Sequence, residues 1–321
     1  MNRFFELTLK VLKRKVYPCF FKQTQLPEIN LPSNPEGVNQ MMFNAIKKGN
    51  PFMVARFGST EMCAIANYVG VRDNPHSVLK YIKGEINEWW WSMPSINQLQ
   101  THSGFFPITI ENVIRFSELM INDAKETDIL GSWVPEEYYI REEISHVRKA
   151  RIEDIRPNYF WDGTGLNWTQ ALKGKRVLMV HPFVETMMAQ YQKKHLLFKH
   201  PDFLPDFELL TVKAVQSLGG SAQCTSWFDA LDYMKAEMDK LDYDICIIGC
   251  GAYGMPLAAH AKRTGHVAIH LGGITQLMFG IKGNRWENRK EWDGLFNDYW
   301  VRPSKDETPM AAKKVEDACY W

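Results

Sequence analysis

Residues 244–273, D-I-C-I-I-G-C-G-A-Y-G-M-P-L-A-A-H-A-K-R-T-G-H-V-A-I-H-L-G-G, constrain the fold more than any other stretch. Ile245, Ile247 and Ile248 make a short β-branched run, Gly249, Gly251 and Gly254 follow, and residues 256–263 carry the small-residue spacing of a helix. A second apolar run, 266–271, begins after Thr264 and Gly265, so the unit is predicted to be β-α-β with a right-handed crossover. A tight turn that opens a helix aims unbonded backbone N–H groups and the positive dipole end at one point, and glycines let an anion approach it. The turn is therefore expected to bind phosphate, with Gly251, Ala252 and Tyr253 offering N–H groups between Gly249 and Gly254. The alternative is a turn rich in glycine only so that helix and sheet can pack closely.

The glycines match G-x-G-x-x-G, which on its own suggests a dinucleotide and hence an NAD(P)-dependent oxidoreductase. The companion of that motif is an acid at the end of the next strand, placed to bind ribose. Here that strand ends His270-Leu271-Gly272-Gly273, and the chain beyond it is too short for the usual six-stranded dinucleotide domain. The oxidoreductase reading therefore stands second. With 321 residues, 45% hydrophobic and 23% charged, the chain can bury one large α/β core. A net charge of +1 gives no field strong enough to suggest nucleic acid as the main partner, and none is expected, so any anionic ligand must be recognised locally. The six cysteines are scattered, with neither a disulfide framework nor a zinc-type pair, which suits reduced thiols and a cytoplasmic location.

Along the chain, residues 1–24 combine Phe4, Phe5, Leu7, Leu9, Val11, Leu12, Val16, Phe20 and Phe21 with six cations, and contain neither a membrane span nor a secretory signal. They are expected to form a basic amphipathic helix, either lying on the inner face of an anionic membrane or docked on the protein. A linker runs to about residue 36, the body spans 37–300, and a tail, 301–321, ends in aromatics and should be tied to the body. The run 52–57 is the first predicted core strand, followed at Gly58-Ser59-Thr60-Glu61 by a helix start. Arg56 and Glu61 thus stand at a strand's carboxyl end, where open α/β sheets bind ligands. They can form a structural ion pair, or Arg56 can fork onto phosphate while Glu61 holds a divalent metal or acts as a base.

An aromatic-rich helical region follows. It contains Trp89-Trp90-Trp91, of which at least one should be exposed or line a cleft, and a helix over 110–125. The next strand is predicted at 128–133, a charged helix at 138–156, and an ordered loop around Trp161-Asp162-Gly163 and 165–168. Residues 175–180 are the clearest buried strand, with His181 at its carboxyl end as a donor to phosphate or a base, and a helix over 185–197. The strand 207–212 runs into Lys213, and the helix 227–241 returns the chain to the glycine unit. Ile274 to Gly280 is predicted as a short helix, and 282–286 as a cationic glycine loop containing Arg285. The expected fold is α/β: a single Rossmann-like, mostly parallel sheet with helices on both faces, a basic N-terminal helix and an aromatic helical insertion.

R-F-G-S-T-E at 56–61, H-P-F at 181–183, G-C-G-A-Y-G at 249–254, and A-I-H-L-G-G followed by G-N-R-W resemble the bacterial GT-D-fold glycosyltransferases of cell-surface polysaccharide gene clusters. The resemblance covers about residues 37–290. It implies a nucleotide-diphosphate sugar donor and a glycan or lipid-linked acceptor, with the diphosphate near Gly58, Ser59, Gly249, Gly251, Gly254, Gly272 and Gly273. It also implies a Mn²⁺ or Mg²⁺ held by an Asp-x-Glu element after the first strand. Ser59 stands where those enzymes have Asp, and only Glu61 matches. One carboxylate with waters and diphosphate oxygens can hold such an ion. Arg56, Lys213 or Arg285 can instead neutralise a leaving diphosphate without it.

Overall fold

Strands apolar on both faces belong in a parallel sheet covered on two sides. The structure, a computed structural model, describes residues 2–73, 76–157, 165–217, 224–287, 289–292, 294–309, 312 and 318–321. Among these, seven strands form one sheet: β1 (Phe52–Ala55), β2 (Ile129–Ser132), β3 (Arg148–Arg151), β4 (Arg176–His181), β5 (Glu208–Lys213), β6 (Ile245–Ile248) and β7 (Val267–His270). Their order is β3-β2-β1-β7-β6-β4-β5 and every pairing is parallel. The chain steps outward from β1 to β3 on one side and from β4 to β5 on the other, and β6 and β7 fill the gap between β4 and β1. All seven carboxyl ends consequently open onto one edge.

Alternate strand residues enter two separate cores. Met53, Ala55, Leu178, Val180, Cys246, Ile248 and Ala268 face one side, where α3 (Ser59–Asp73), α5 (Met93–Ser103), α6 (Ile110–Lys125), α8 (Trp227–Met238) and α9 (Gly254–Arg263) pack. Val54, Val177, Met179, Ile245, Ile247, Val267 and Ile269 face the other, against α2 (Pro35–Lys48), α7 (Val184–Tyr191) and the tail. The predicted α/β architecture with helices on both faces is the one found.

Several local expectations are corrected. The charged stretch 138–156 is not a helix: a 3₁₀ turn, Pro135–Ile140, leads through turns into edge strand β3, whose R-K-A-R leaves its first two side chains exposed. Charged residues are how an exposed sheet edge is kept from pairing further, so the charge pattern was that of a strand. The helix expected over 185–197 stops at Tyr191, and Lys194–Leu196 is a separate 3₁₀ turn. The short helix expected over 274–280 is present, as a 3₁₀ helix that begins two residues earlier, Gly272–Phe279. Trp89 and Trp90 lie in a bend and Trp91 in the irregular stretch after it, so the three rings do not share one helical face. Trp89 and Trp90 are buried with Leu9 and Tyr81, and Trp91 packs against the main core, so none is exposed or lines the principal cavity. The loop at Trp161-Asp162-Gly163 lies outside the described residues.

The N-terminal helix is α1 (Arg3–Val11), continued by a π-turn, Leu12–Val16, and a 3₁₀ turn, Tyr17–Cys19. It docks through Leu9 beside α4 (Val78–Lys83), which supplies Tyr81. Among the described residues no helix is long and apolar enough to cross a membrane. The tail is held by the buried Glu307 carboxylate, which accepts from the N–H groups of Glu185 (2.9 Å) and Thr186 (3.2 Å) at the start of α7. Trp321 Nε1 donates to the Glu307 carbonyl at 3.1 Å.

One glycine of the central unit is explained by packing alone. A Cβ at Gly254 would stand 2.0 Å from the ring of His270, itself 2% exposed and unable to swing aside. We expect Gly254→Ala to cost about 2 kcal/mol or more by overpacking the α9–β7 contact. Urea unfolding measures this, and an unchanged midpoint would contradict the assignment.

Candidate active site

The carboxyl edge of the sheet encloses a cavity of about 810 Å³, the size of a nucleotide or cofactor site. Every strand exit that faces it contributes: Arg56 and Gly58–Glu61 after β1, Trp133 after β2, Arg156 after β3, His181 at the end of β4, Gln216 after β5, Gly249–Gly251 after β6 and Gly273 after β7. The tail's Tyr320 and Trp321 and the loop carrying Arg285, Trp286 and Arg289 close the far side. Of the residues singled out from sequence, Arg56, Gly58, Ser59, Glu61, His181, Gly249, Gly251, Tyr253, Gly273 and Arg285 all line this one space.

Lys213 is not brought there. It ends β5, but its Nζ pairs with Glu185 at 2.8 Å where both side chains are half exposed, so it does not face the cavity. Ala252 is buried under the turn. Gly272 and Gly254 lie behind the lining.

Two glycines make room for the side chains of Glu61 and Arg56. A Cβ at Gly58 would sit 1.7 Å from a Glu61 carboxylate oxygen, and one at Gly272, where φ is +71°, would sit 1.7 Å from an Arg56 guanidinium nitrogen. Only glycine leaves room for those contacts. Glu61 therefore folds back over the turn that precedes α3, while Arg56 lies flat on the turn after β7. The two do not pair: Arg56 Nη1 donates to the Phe57 carbonyl at 3.2 Å, and among the described residues no hydrogen bond or ion pair holds the Glu61 carboxylate. This removes the structural ion-pair reading. Glu61 is 6% exposed, and a buried carboxylate without a partner is costly unless a ligand or cation satisfies it.

The glycine turn after β6 divides its tasks. Gly251 has φ of +60° and nothing within 4 Å of where a Cβ would be, so its backbone is open to the cavity. Gly249 gives β6 room against His181 and Thr275, and Gly273 gives room to the Tyr320 ring. Tyr253 is locked under the turn, its ring stacked on Trp227 at 4.9 Å and its hydroxyl 2.9 Å from Ser217 Oγ. Ser217 in turn donates to the Gly104 carbonyl at 2.6 Å, so the Tyr253 hydroxyl is the donor in the pair.

Electrostatically the cavity is basic. Among the described residues, Arg56, Arg156, Arg285 and Arg289 line it with two acids, Glu61 and Glu291, and Arg289 pairs with Glu291 at 3.6 Å. Burial holds Arg156 below the ordinary guanidinium value, Glu153 and Glu291 act the other way, and the nearby cations Arg56 and Arg289 push it further down. Arg285 is braced by Tyr320, donating to its hydroxyl at 2.9 Å with the guanidinium 4.6 Å from the ring centroid. A cluster of like charges facing a cavity is unfavourable until an anion enters, which is the arrangement a diphosphate site needs. Arg156 was missed from sequence because it was placed inside the supposed helix 138–156. The signal that could have found it is the R-P that ends the charged stretch, since a residue before proline leaves the helical region. Trp133, which donates from Nε1 to the Phe57 carbonyl at 2.8 Å and is half exposed at the rim, also went unremarked.

His181 has one of the two chemistries assigned to it. Its Nδ1 accepts from the Phe183 N–H at 3.0 Å, so the ring proton resides on Nε2, and burial pushes its pKa down to about 3. It is a neutral donor rather than a base. His270 is likewise pushed down to about 3, by burial and then by Arg56.

For a divalent cation the donors are few. Among the described residues no group of three His, Cys, Asp or Glu side chains could hold one. The set fits a cation shared between Glu61 and the substrate's own oxygens, not one held by protein alone.

A family model described as GT-D fold-like domain matches residues 33–278. No curated protein and no solved structure matches the chain.

The buried histidines fix the sign of the pH response. A group whose folded pKa lies below its unfolded value of 6.5 binds more protons when unfolded, so stability rises with pH between about 3 and 6.5. At pH 5 each histidine should cost about 2 kcal/mol relative to pH 7. Urea titrations at the two pH values measure this, with His181→Asn expected to remove about half the difference. A flat profile would show that the rings are hydrated.

Proposed function

The chain belongs to the GT-D fold-like domain family, whose fold is of glycosyltransferase type, and from that premise we propose that it moves a sugar from a nucleotide-diphosphate donor to a hydroxyl of a polysaccharide or lipid-linked glycan acceptor. The observation that carries the reading is the pairing, in one cavity, of four arginines with a buried, unpartnered glutamate. The cations match a leaving diphosphate and the carboxylate matches an acceptor hydroxyl. When the acceptor oxygen bonds to the anomeric carbon, its proton passes to Glu61. The bond from that carbon to the diphosphate oxygen breaks, and the nucleoside diphosphate leaves with the electron pair. Arg56, Arg156, Arg285 and Arg289, the His181 Nε2–H and the Gly251 backbone are placed to stabilise the developing charge. Glu61 and the Ser59 hydroxyl, with diphosphate oxygens and waters, would hold Mg²⁺ or Mn²⁺, which would supply further neutralisation. With or without the ion, the arginines orient the donor.

A non-catalytic nucleotide-binding subunit is the second reading, favoured by Ser59 at the position where the resembling enzymes carry Asp. The oxidoreductase reading is weaker, because the strand after the glycine turn ends His270-Leu271-Gly272-Gly273 with no acid to bind ribose and too little chain beyond it for the usual dinucleotide domain.

Thermal unfolding with UDP, GDP, CMP and NAD separates these readings, since a ligand at 100 times its Kd adds about 2.7 kcal/mol. Stabilisation by NAD alone would sink the transferase proposal. With the donor so identified, Glu61→Gln should retain fold and nucleotide binding while turnover falls on the order of 10²-fold. Ser59→Asp should strengthen dependence on Mn²⁺. A Glu61→Gln protein with undiminished turnover would remove Glu61 from the mechanism.

A further inference from the structure

The N-terminal segment has two faces, and the structure separates them. On the docked face Leu9 is 1% exposed among Tyr81, Trp89 and Trp90. Lys13 Nζ sits 4.2 Å from the Tyr81 ring centroid, and Gln23 Nε2 donates to the Ile82 and Lys13 carbonyls at 3.1 and 3.2 Å. These contacts fix the segment at both ends. The opposite face is open: Phe4, Leu7 and Val11, spaced i, i+3, i+7 along α1, are 79%, 54% and 52% exposed, and Phe20 and Phe21 beyond it are 74% and 62% exposed. A helix held only by its inner stripe gains nothing by carrying a second apolar stripe in water.

The charges beside that stripe identify what covers it. Arg3, Arg14, Lys15 and Lys22 are exposed, and among the described residues none has an ion-pair partner. The one acid in residues 1–24, Glu6, is turned to the docked side and bonded to Lys10 at 2.9 Å. The outer face is thus apolar at its centre, cationic at its margins and free of acid. We propose that this face lies on the surface of an anionic bilayer, with Phe4, Leu7, Val11, Phe20 and Phe21 entering the headgroup region and the four cations meeting the lipid phosphates. Two copies meeting through the same face would bring eight cations together with no acid between them. Attachment is by a preformed, anchored surface, so binding needs no unfolding of the segment. The inference stands independently of the glycosyl-transfer reading.

The test is sedimentation of the full chain with vesicles of phosphatidylcholine alone or mixed with phosphatidylglycerol. Wild-type protein should pellet with the mixed vesicles, release as salt is raised, and remain in solution with phosphatidylcholine. Phe4→Asp combined with Phe20→Asp, both at exposed positions, should leave the melting temperature unchanged and weaken partitioning by tenfold or more. Three results would overturn the proposal. One is failure to pellet with either vesicle, another is equal pelleting of the double variant. The third is a wild-type dimer in light scattering that the substitutions dissociate, with no vesicle binding.

Discussion

A parallel sheet sends every carboxyl end to the same edge, and the whole site rests on that constraint. Seven short exits converge there with no long loop needed to bring them together. The opposite edge receives acids: Asp128 Oδ2 accepts from the Met53 N–H and from Lys262 Nζ, each at 2.7 Å, and Asp244 Oδ2 accepts from the Arg176 N–H at 2.8 Å. Carboxylates that precede strands are thereby spent on free strand donors at the amino edge. The arginines that follow strands stay at the carboxyl edge, so a chain of net charge +1 presents a basic cavity without being a basic protein.

Keeping like charges together takes rigid support. Arg56 is seated on Gly272, Glu61 on Gly58 and Arg285 against Tyr320. The tail that carries Tyr320 and Trp321 is held by Glu307 at the start of α7, the helix that follows His181. Fold and site are therefore coupled at the tail. Loosening Glu307 would release one wall of the cavity and leave unbonded the first N–H groups of α7.

The central strands were legible because each is apolar on both faces, a pattern that only a covered parallel sheet uses well. The glycine motifs, Arg56, Glu61 and His181 were legible because their strands end where they do. What could not be read was tertiary. Strand β3 hides in R-K-A-R because an edge strand's side chains are chosen by solvent, and with it went Arg156. Lys213 ends a strand as correctly as His181 does, yet its side chain meets Glu185 instead of the cavity. Gly58 and Gly272 looked like ligand contacts, and their close approach to Glu61 and Arg56 exists only once separate turns are brought together. The N-terminal helix posed a choice between docking and a membrane face because composition does not say which stripe faces inward.

The central claim is that the arginines lining the cavity hold the diphosphate of a nucleotide. Isothermal titration of the best-stabilising nucleoside diphosphate and its monophosphate into wild-type and Arg156→Gln protein tests it. The diphosphate should bind wild-type protein at least about tenfold more tightly than the monophosphate, and Arg156→Gln should lose about 1.5–3 kcal/mol of diphosphate affinity, the worth of hydrogen bonds to a charged group. Equal affinity for the two nucleotides, or a diphosphate isotherm untouched by Arg156→Gln, would contradict it.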